Sequence, residues 1–255
     1  MKHMTRTAAL VVTSGLVLGF VTPRAAATVL TFDIFDDAPK TDRFNNAVFI
    51  PQSYGDNVSD FSPTGASVEG KYYNYGSAGG FTPNVKVEYR FWQTTDPTNP
   101  SPGNNGPPNG LMWDTGYSTL NYVVYNAYGP TWLQEMRLTP DPGYRVTLES
   151  FDAAGYLSAS GAHTLKILQN ANSAVAPFMW SAGPDGTVVF PAVVSNYVVN
   201  VSVESGNTLS LLYGRNGNAA VDNIVFSQSL IPEPSSVALL ALSGWTLLRW
   251  RRRKY

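Results

Sequence analysis

The stretch Asn84-Val-Lys-Val-Glu-Tyr-Arg-Phe-Trp92 decides the fold. In an extended chain Val85, Val87, Tyr89 and Phe91 fall on one side and Lys86, Glu88 and Arg90 on the other, because successive side chains point to opposite faces. A strict period of two, with β-branched and aromatic residues on the apolar side, marks a strand half-buried in a sheet. Upstream the pattern recurs at 29–35, 47–50 and 67–75, and downstream at 120–125, 131–138, 144–151, 163–168, 174–180, 186–190, 197–203, 208–213 and 219–226. Pro140-Asp-Pro-Gly143 and Asp152-Ala-Ala-Gly155 read as turns between these runs. No amphipathic helix of ten or more residues appears between Thr28 and Gln228. About a dozen short strands separated by Gly, Pro, Asn and Asp predict an all-β domain over 28–228, an antiparallel β-sandwich of jelly-roll type. No repeat of propeller-blade length is present, which disfavours a propeller. Residues 94–110 hold five prolines and no large apolar residue, and read as a long exposed loop. A division into two smaller sandwiches at that loop is the other arrangement.

The two ends differ from this body. Residues 1–27 carry Lys2 and Arg6, an apolar stretch from Ala8 to Val21, the helix-breaking Pro23 and the small residues Ala25-Ala26-Ala27. That order predicts a helical secretory signal peptide, cut before Thr28. At the other end, 229–255 holds Pro232-Glu233-Pro234, an uncharged and largely apolar run from Ser235 to Leu248 inside a candidate transmembrane run of 235–250, and the cations Arg249, Arg251, Arg252, Arg253 and Lys254. The run is short of the roughly 20 helical residues that span a bilayer, but Trp250 and the arginines can snorkel to extend it. A C-terminal transmembrane helix with its basic end in the cytoplasm would leave the body outside.

Pro232-Glu233-Pro234, the apolar run and the terminal arginine cluster together resemble the PEP-CTERM sorting domain of exported bacterial proteins. The resemblance implies an exosortase as partner, transient anchoring in the inner membrane, and delivery to the cell envelope or the extracellular matrix. It covers only the tail.

Of 17 Lys and Arg, three lie in the signal and five at the basic end, leaving nine, while all 18 Asp and Glu but Glu233 of the tail lie in the body, whose formal charge is therefore near 9 − 17 = −8. An acidic body without a basic stripe excludes nucleic acid as a partner, since phosphate neutralisation supplies most of that affinity. Cysteine is absent, which removes disulfides, thiol catalysis and cysteine metal sites. His3 lies in the signal, and His163, opening a strand, reads as a surface residue.

Three kinds of chemistry are open to the body. Its first and last strands, with Asp33 and Asp222, resemble galactose-binding-like sandwiches. In those the terminal strands often pair, and an Asp-Asn-Ile closing strand lies beside calcium. That resemblance implies Ca²⁺ on Asp33 and Asp222, with Asp36, Asp37 and Asp42 as further oxygen donors. Asp36-Asp37-Ala38-Pro39 is equally a turn sequence. Second, the aromatics crowding the middle third, Trp92, Trp113 and Tyr117 foremost, suit stacking on an extracellular polysaccharide, with Trp113 the most exposed. Core packing accounts for such rings equally well. Third, catalysis has no signature: no Gly-x-Ser-x-Gly elbow, phosphate loop or His-Glu-x-x-His occurs. The expectation is a non-catalytic structural or adhesive module of the envelope or matrix, and the alternative a carbohydrate-binding module.

Overall fold

The structure, a computed structural model, describes residues 27–34, 47–52, 54–59, 67–68, 71–72, 75, 80–93, 110–126, 132–157, 162–171, 178–183, 186–190, 192–215, 219–232 and 243. The signal segment, most of 94–110, Asp36, Asp37, Asp42, Glu233, Pro234 and nearly all of the run beyond lie outside these residues. Among the described residues no helix is long and apolar enough to cross a membrane.

Strands account for almost all of the described regular structure: β1 (Thr28–Leu30), β2 (Ala47–Phe49), β3 (Ser67–Val68), β4 (Lys71–Tyr72), β5 (Val85–Gln93), β6 (Leu111–Trp113), β7 (Val123–Tyr125), β8 (Trp132–Pro140), β9 (Tyr144–Gly155), β10 (His163–Gln169), β11 (Phe178–Ser181), β12 (Thr187–Val188), β13 (Ser195–Glu204), β14 (Leu209–Gly214) and β15 (Ala219–Leu230). A seven-stranded sheet runs β13-β9-β15-β7-β6-β2, with β1 also on β15. A six-stranded sheet runs β11-β10-β14-β8-β5, with β12 also on β10. From β7 onward the chain changes sheet at β7–β8, β8–β9, β9–β10, β12–β13, β13–β14 and β14–β15. Antiparallel strands that alternate between two facing sheets make a jelly-roll sandwich. The first and last strands pair, Leu30 opposite Ile224.

The predicted alternation holds in β5, where Val85, Val87, Tyr89 and Phe91 are all fully buried. Val146, Leu148, Phe151, Val221, Ile224 and Phe226 meet Val85, Val87 and Tyr89 from the opposite sheet in one core, while Phe91 belongs to a second cluster. Two strand expectations need correction. Asp152-Ala-Ala-Gly155 is no turn, because β9 continues through it, with Ala153 opposite Val221 and Ala154 opposite Ala220. Small side chains let a strand with neighbours on both edges be covered on both faces, and that tertiary fit overrides the local turn signal. Leu111–Trp113, outside the strand runs that the sequence predicts, is a strand between β2 and β7.

Part of the outer face of the six-stranded sheet is also buried, around Trp92, Glu135, Arg137, Lys166 and Ser210. There Glu135, with no solvent exposure, accepts hydrogen bonds from Arg137 Nε (2.9 Å) and a second guanidinium nitrogen (3.1 Å), from Ser210 Oγ (2.5 Å) and from the Trp92 indole N–H. Trp92 packs with Leu133, Leu168, Ala171 and Leu212 in a small cluster on that face. A buried carboxylate is tolerable only when its lone pairs are filled, and here four donors fill them. We therefore expect Glu135→Ala to lower stability by about 3–5 kcal/mol. Trp92→Phe, which keeps the ring but loses the donor, should cost about 1.5–3 kcal/mol. Urea unfolding of both variants measures this, and an unchanged Glu135→Ala midpoint would contradict the network.

Candidate functional site

The face of the seven-stranded sheet whose positions alternate with those of the main core carries a second apolar cluster, which Phe91 and Trp132 of the six-stranded sheet join. Register places Phe49, Leu111, Tyr125, Ala220 and Ala154 in one row across it, with Trp113 opposite Val123 in the next. The segment after β6 turns back over this face: Tyr117 and Leu120 form an antiparallel bridge and join the cluster. The Leu157 N–H donates to the Gly116 carbonyl at 2.9 Å, which ties that segment to the end of β9. Gly116 has φ +92°, and a Cβ there would collide with the Tyr156 ring, so the close approach needs glycine.

Four rings meet as a result. Trp113 lies 5.4 Å from Tyr125 and 6.5 Å from Tyr156, and Tyr117 lies 5.3 Å from Tyr156, all edge-to-face. Tyr117 and Tyr125 are buried, whereas Trp113 and Tyr156 are half-buried. The Trp113 indole N–H finds no acceptor among the described residues. Trp113 is therefore less open than its sequence suggests, but it and Tyr117 do come together. Trp92 does not join them. It belongs to the opposite sheet, and burial there corrects the expectation of an exposed ring.

Farther along β9, on the same face, lies a polar row. Asp152 is opposite Asp222 on one side and Asn196 on the other. Its carboxylate accepts from the side-chain amides of Asn196 (2.8 Å) and Asn223 (2.9 Å). Beside it Asn223, with φ 48°, interrupts the β15 register, and its backbone N–H donates to Asp222 Oδ1 at 2.7 Å. Burial pushes the Asp222 carboxyl up to about 8, despite that N–H, and the charges of Asp33 and Asp152 raise it further. Asp33 is exposed just after β1. The predicted pair Asp33 and Asp222 is thus drawn into one electrostatic neighbourhood, to which the structure adds Asp152. Among the described residues, however, no three His, Asp or Glu side chains are arranged to hold a metal ion. His163 is buried, not superficial: its ring packs on Phe190 at 5.2 Å, and burial lowers its pKa.

No protein-family model matches the sequence, and no curated protein matches it. Among solved structures the chain is similar to a CBM4 protein, with 11% identity over 55% of this chain and 86% of that one and a TM-score of 0.30. It is also similar to TmCBM61 in complex with β-1,4-galactotriose, with 14% identity over 58% and 88% and a TM-score of 0.24. A third is the N-terminal cellulose-binding domain of Cellulomonas fimi β-1,4-glucanase C, with 10% identity over 57% and 90% and a TM-score of 0.23. Likenesses at this level transfer no site residue to this chain.

The raised Asp222 carboxyl fixes a sign. Its folded-state value lies above its ordinary 3.8, so its stabilising share is complete below about pH 4 and is lost as pH rises to about 8. The loss approaches about 1.4 kcal/mol per pH unit inside that window. Asp222→Asn should flatten this part of the stability profile and leave the variant with the higher Tm at pH 8. Calcium held by Asp33 and Asp222 would show itself by raising the wild-type Tm at pH 8 while leaving Asp222→Asn unmoved.

Proposed function

We propose that the sandwich is a non-catalytic polysaccharide-binding module of an exported protein, and that the half-buried Trp113 and Tyr156 are its contact surface. The observation that carries this reading is their position. Two aromatic rings, held rigid by Tyr117 and Tyr125, share a sheet face with the Asn196–Asp152 row. Sugars are bound by this combination, apolar ring faces against C–H surfaces with amides and carboxylates taking hydroxyls. Anchoring on paired strands and a glycine-dependent turn limits the ordering cost of binding.

A structural or adhesive role is the second reading, and β13 favours it. This ten-residue strand pairs only with β9 among the described residues, carries no charge from Ser195 to Val203, and leaves Val198 67% exposed. Long neutral edges invite strand addition from another chain.

Export rests on the sequence of the two ends. The signal segment and the Pro232-Glu233-Pro234 tail support a route in which an exosortase processes the chain at the inner membrane before it reaches the envelope or matrix.

Trp113→Ala should abolish retention on a polysaccharide array or affinity gel while leaving the unfolding midpoint within about 1–2 kcal/mol of wild type. Retention unaffected by the change would remove the platform from the reading, and absence of any glycan ligand would leave the adhesive one. For the tail, alanines at Pro232, Glu233 and Pro234 should hold the precursor in the inner-membrane fraction. Normal release of that variant would argue against processing at the motif.

A further inference from the structure

Charge is divided between the two sheets. Lys86, Arg90, Arg137 and Lys166 all lie on the outer side of the six-stranded sheet, in register positions that alternate with its core residues. Several are already engaged: Glu88 binds Lys86 at 3.3 Å and Arg90 at 3.0 Å, and Glu135 binds Arg137. On the strands of the seven-stranded sheet the one described cation is Arg145, at the end of β9 remote from Tyr156 and paired with Glu204. Around the aromatic platform the described carboxylates are Asp114, next to Trp113, and Asp152, farther along the face beside Asp222, whose buried carboxyl keeps its proton at neutral pH; the cation Arg215 follows β14, its backbone N–H on the Trp132 carbonyl. Burial and, after it, the charges of Asp33 and Asp152 raise the proton affinity of Asp222, the direction that neighbouring negative charge gives.

Resting on the reading of this face as the polysaccharide contact, we infer that its ligand is an uncharged polymer and that polyanionic glycans, those built of uronic acids or bearing sulfate, are turned away. The rings accept any sugar with an apolar face. Selection comes from the carboxylates, which accept hydroxyl protons from a neutral sugar but repel a second carboxylate brought alongside them. The body over 28–228, near −8 although the whole chain is near −1, adds longer-range repulsion to the local one. Asn196 and Asn223 hold Asp152 in place, so it cannot swing away to relieve the contact.

The test compares two probes of similar length on the full chain, a soluble neutral β-glucan and polygalacturonate. The neutral polymer should be retained at least about ten-fold more strongly at low salt, and the gap should narrow as salt screens the face. Asp114→Lys should shift the ratio several-fold toward polygalacturonate. Equal retention of both probes by the wild type, or a ratio unmoved by salt and by Asp114→Lys, overturns the inference while leaving the polysaccharide reading intact. Retention of neither probe by the wild type, or of any other glycan, overturns both.

Discussion

The pairing of β15 with β9 is the constraint on which the sandwich depends. Ten residue pairs join these strands, from Ala219 opposite Gly155 to Leu230 opposite Tyr144. The other edge of β15 is shared by β7 at Ala220 and Val221 and by β1 at Ile224 to Phe226. The last strand therefore lies at the centre of its sheet, and the first cannot be placed until the last is present. Contacts this far apart in sequence are costly in loop-closure entropy and form late, so such a chain reaches its native sheet order only when nearly all of it is available.

The same strand carries the irregularity that shapes the polar row. Two register shifts in β15, with Asn223 in the left-handed region, turn Asp222 into a buried position beside Asp152 and leave Asn223 free to hold that carboxylate. Bulges of this kind re-aim side chains at the expense of ladder pairing. The aromatic cluster on the same face is built differently, by a short segment folded back over small residues, Ala154 and Ala220, that leave room for Tyr117.

Much of the fold is legible in the sequence because period-two alternation is a local signal. Val85 to Phe91 and Tyr144 to Leu148 carry it plainly, and the structure keeps both as strands with the expected faces. What local pattern cannot supply is coverage of a second face. Trp92 sits among the polar residues of its strand's outer side and reads as exposed, yet that part of the side is closed over and its indole is taken by Glu135, 43 residues away. His163 differs: it shares the core side of β10 with Leu165 and Ile167 and packs on Phe190, a place its polar type hides. Of the candidate site, Trp113, Tyr117, Asp33 and Asp222 stand out as residue types. Tyr156 and Asp152 do not, because they were assigned to a presumed turn and its margin, and only the pairing of β9 with strands more than 40 residues away brings them in.

The C-terminal end of β15 sets how close the folded body stands to whatever lies beyond. Ile231 still donates its N–H to Gly143 at 2.8 Å, so the sandwich holds the chain up to the residue before Pro232. Five residues separate Ile231 from Val237, six steps of chain with a reach of about 20 Å when fully stretched. A membrane-embedded catalyst acting on the Pro-Glu-Pro tripeptide would have almost no slack to draw on. Its catalytic groove would have to open flush with the lipid headgroups and admit a strand emerging directly from a rigid globule.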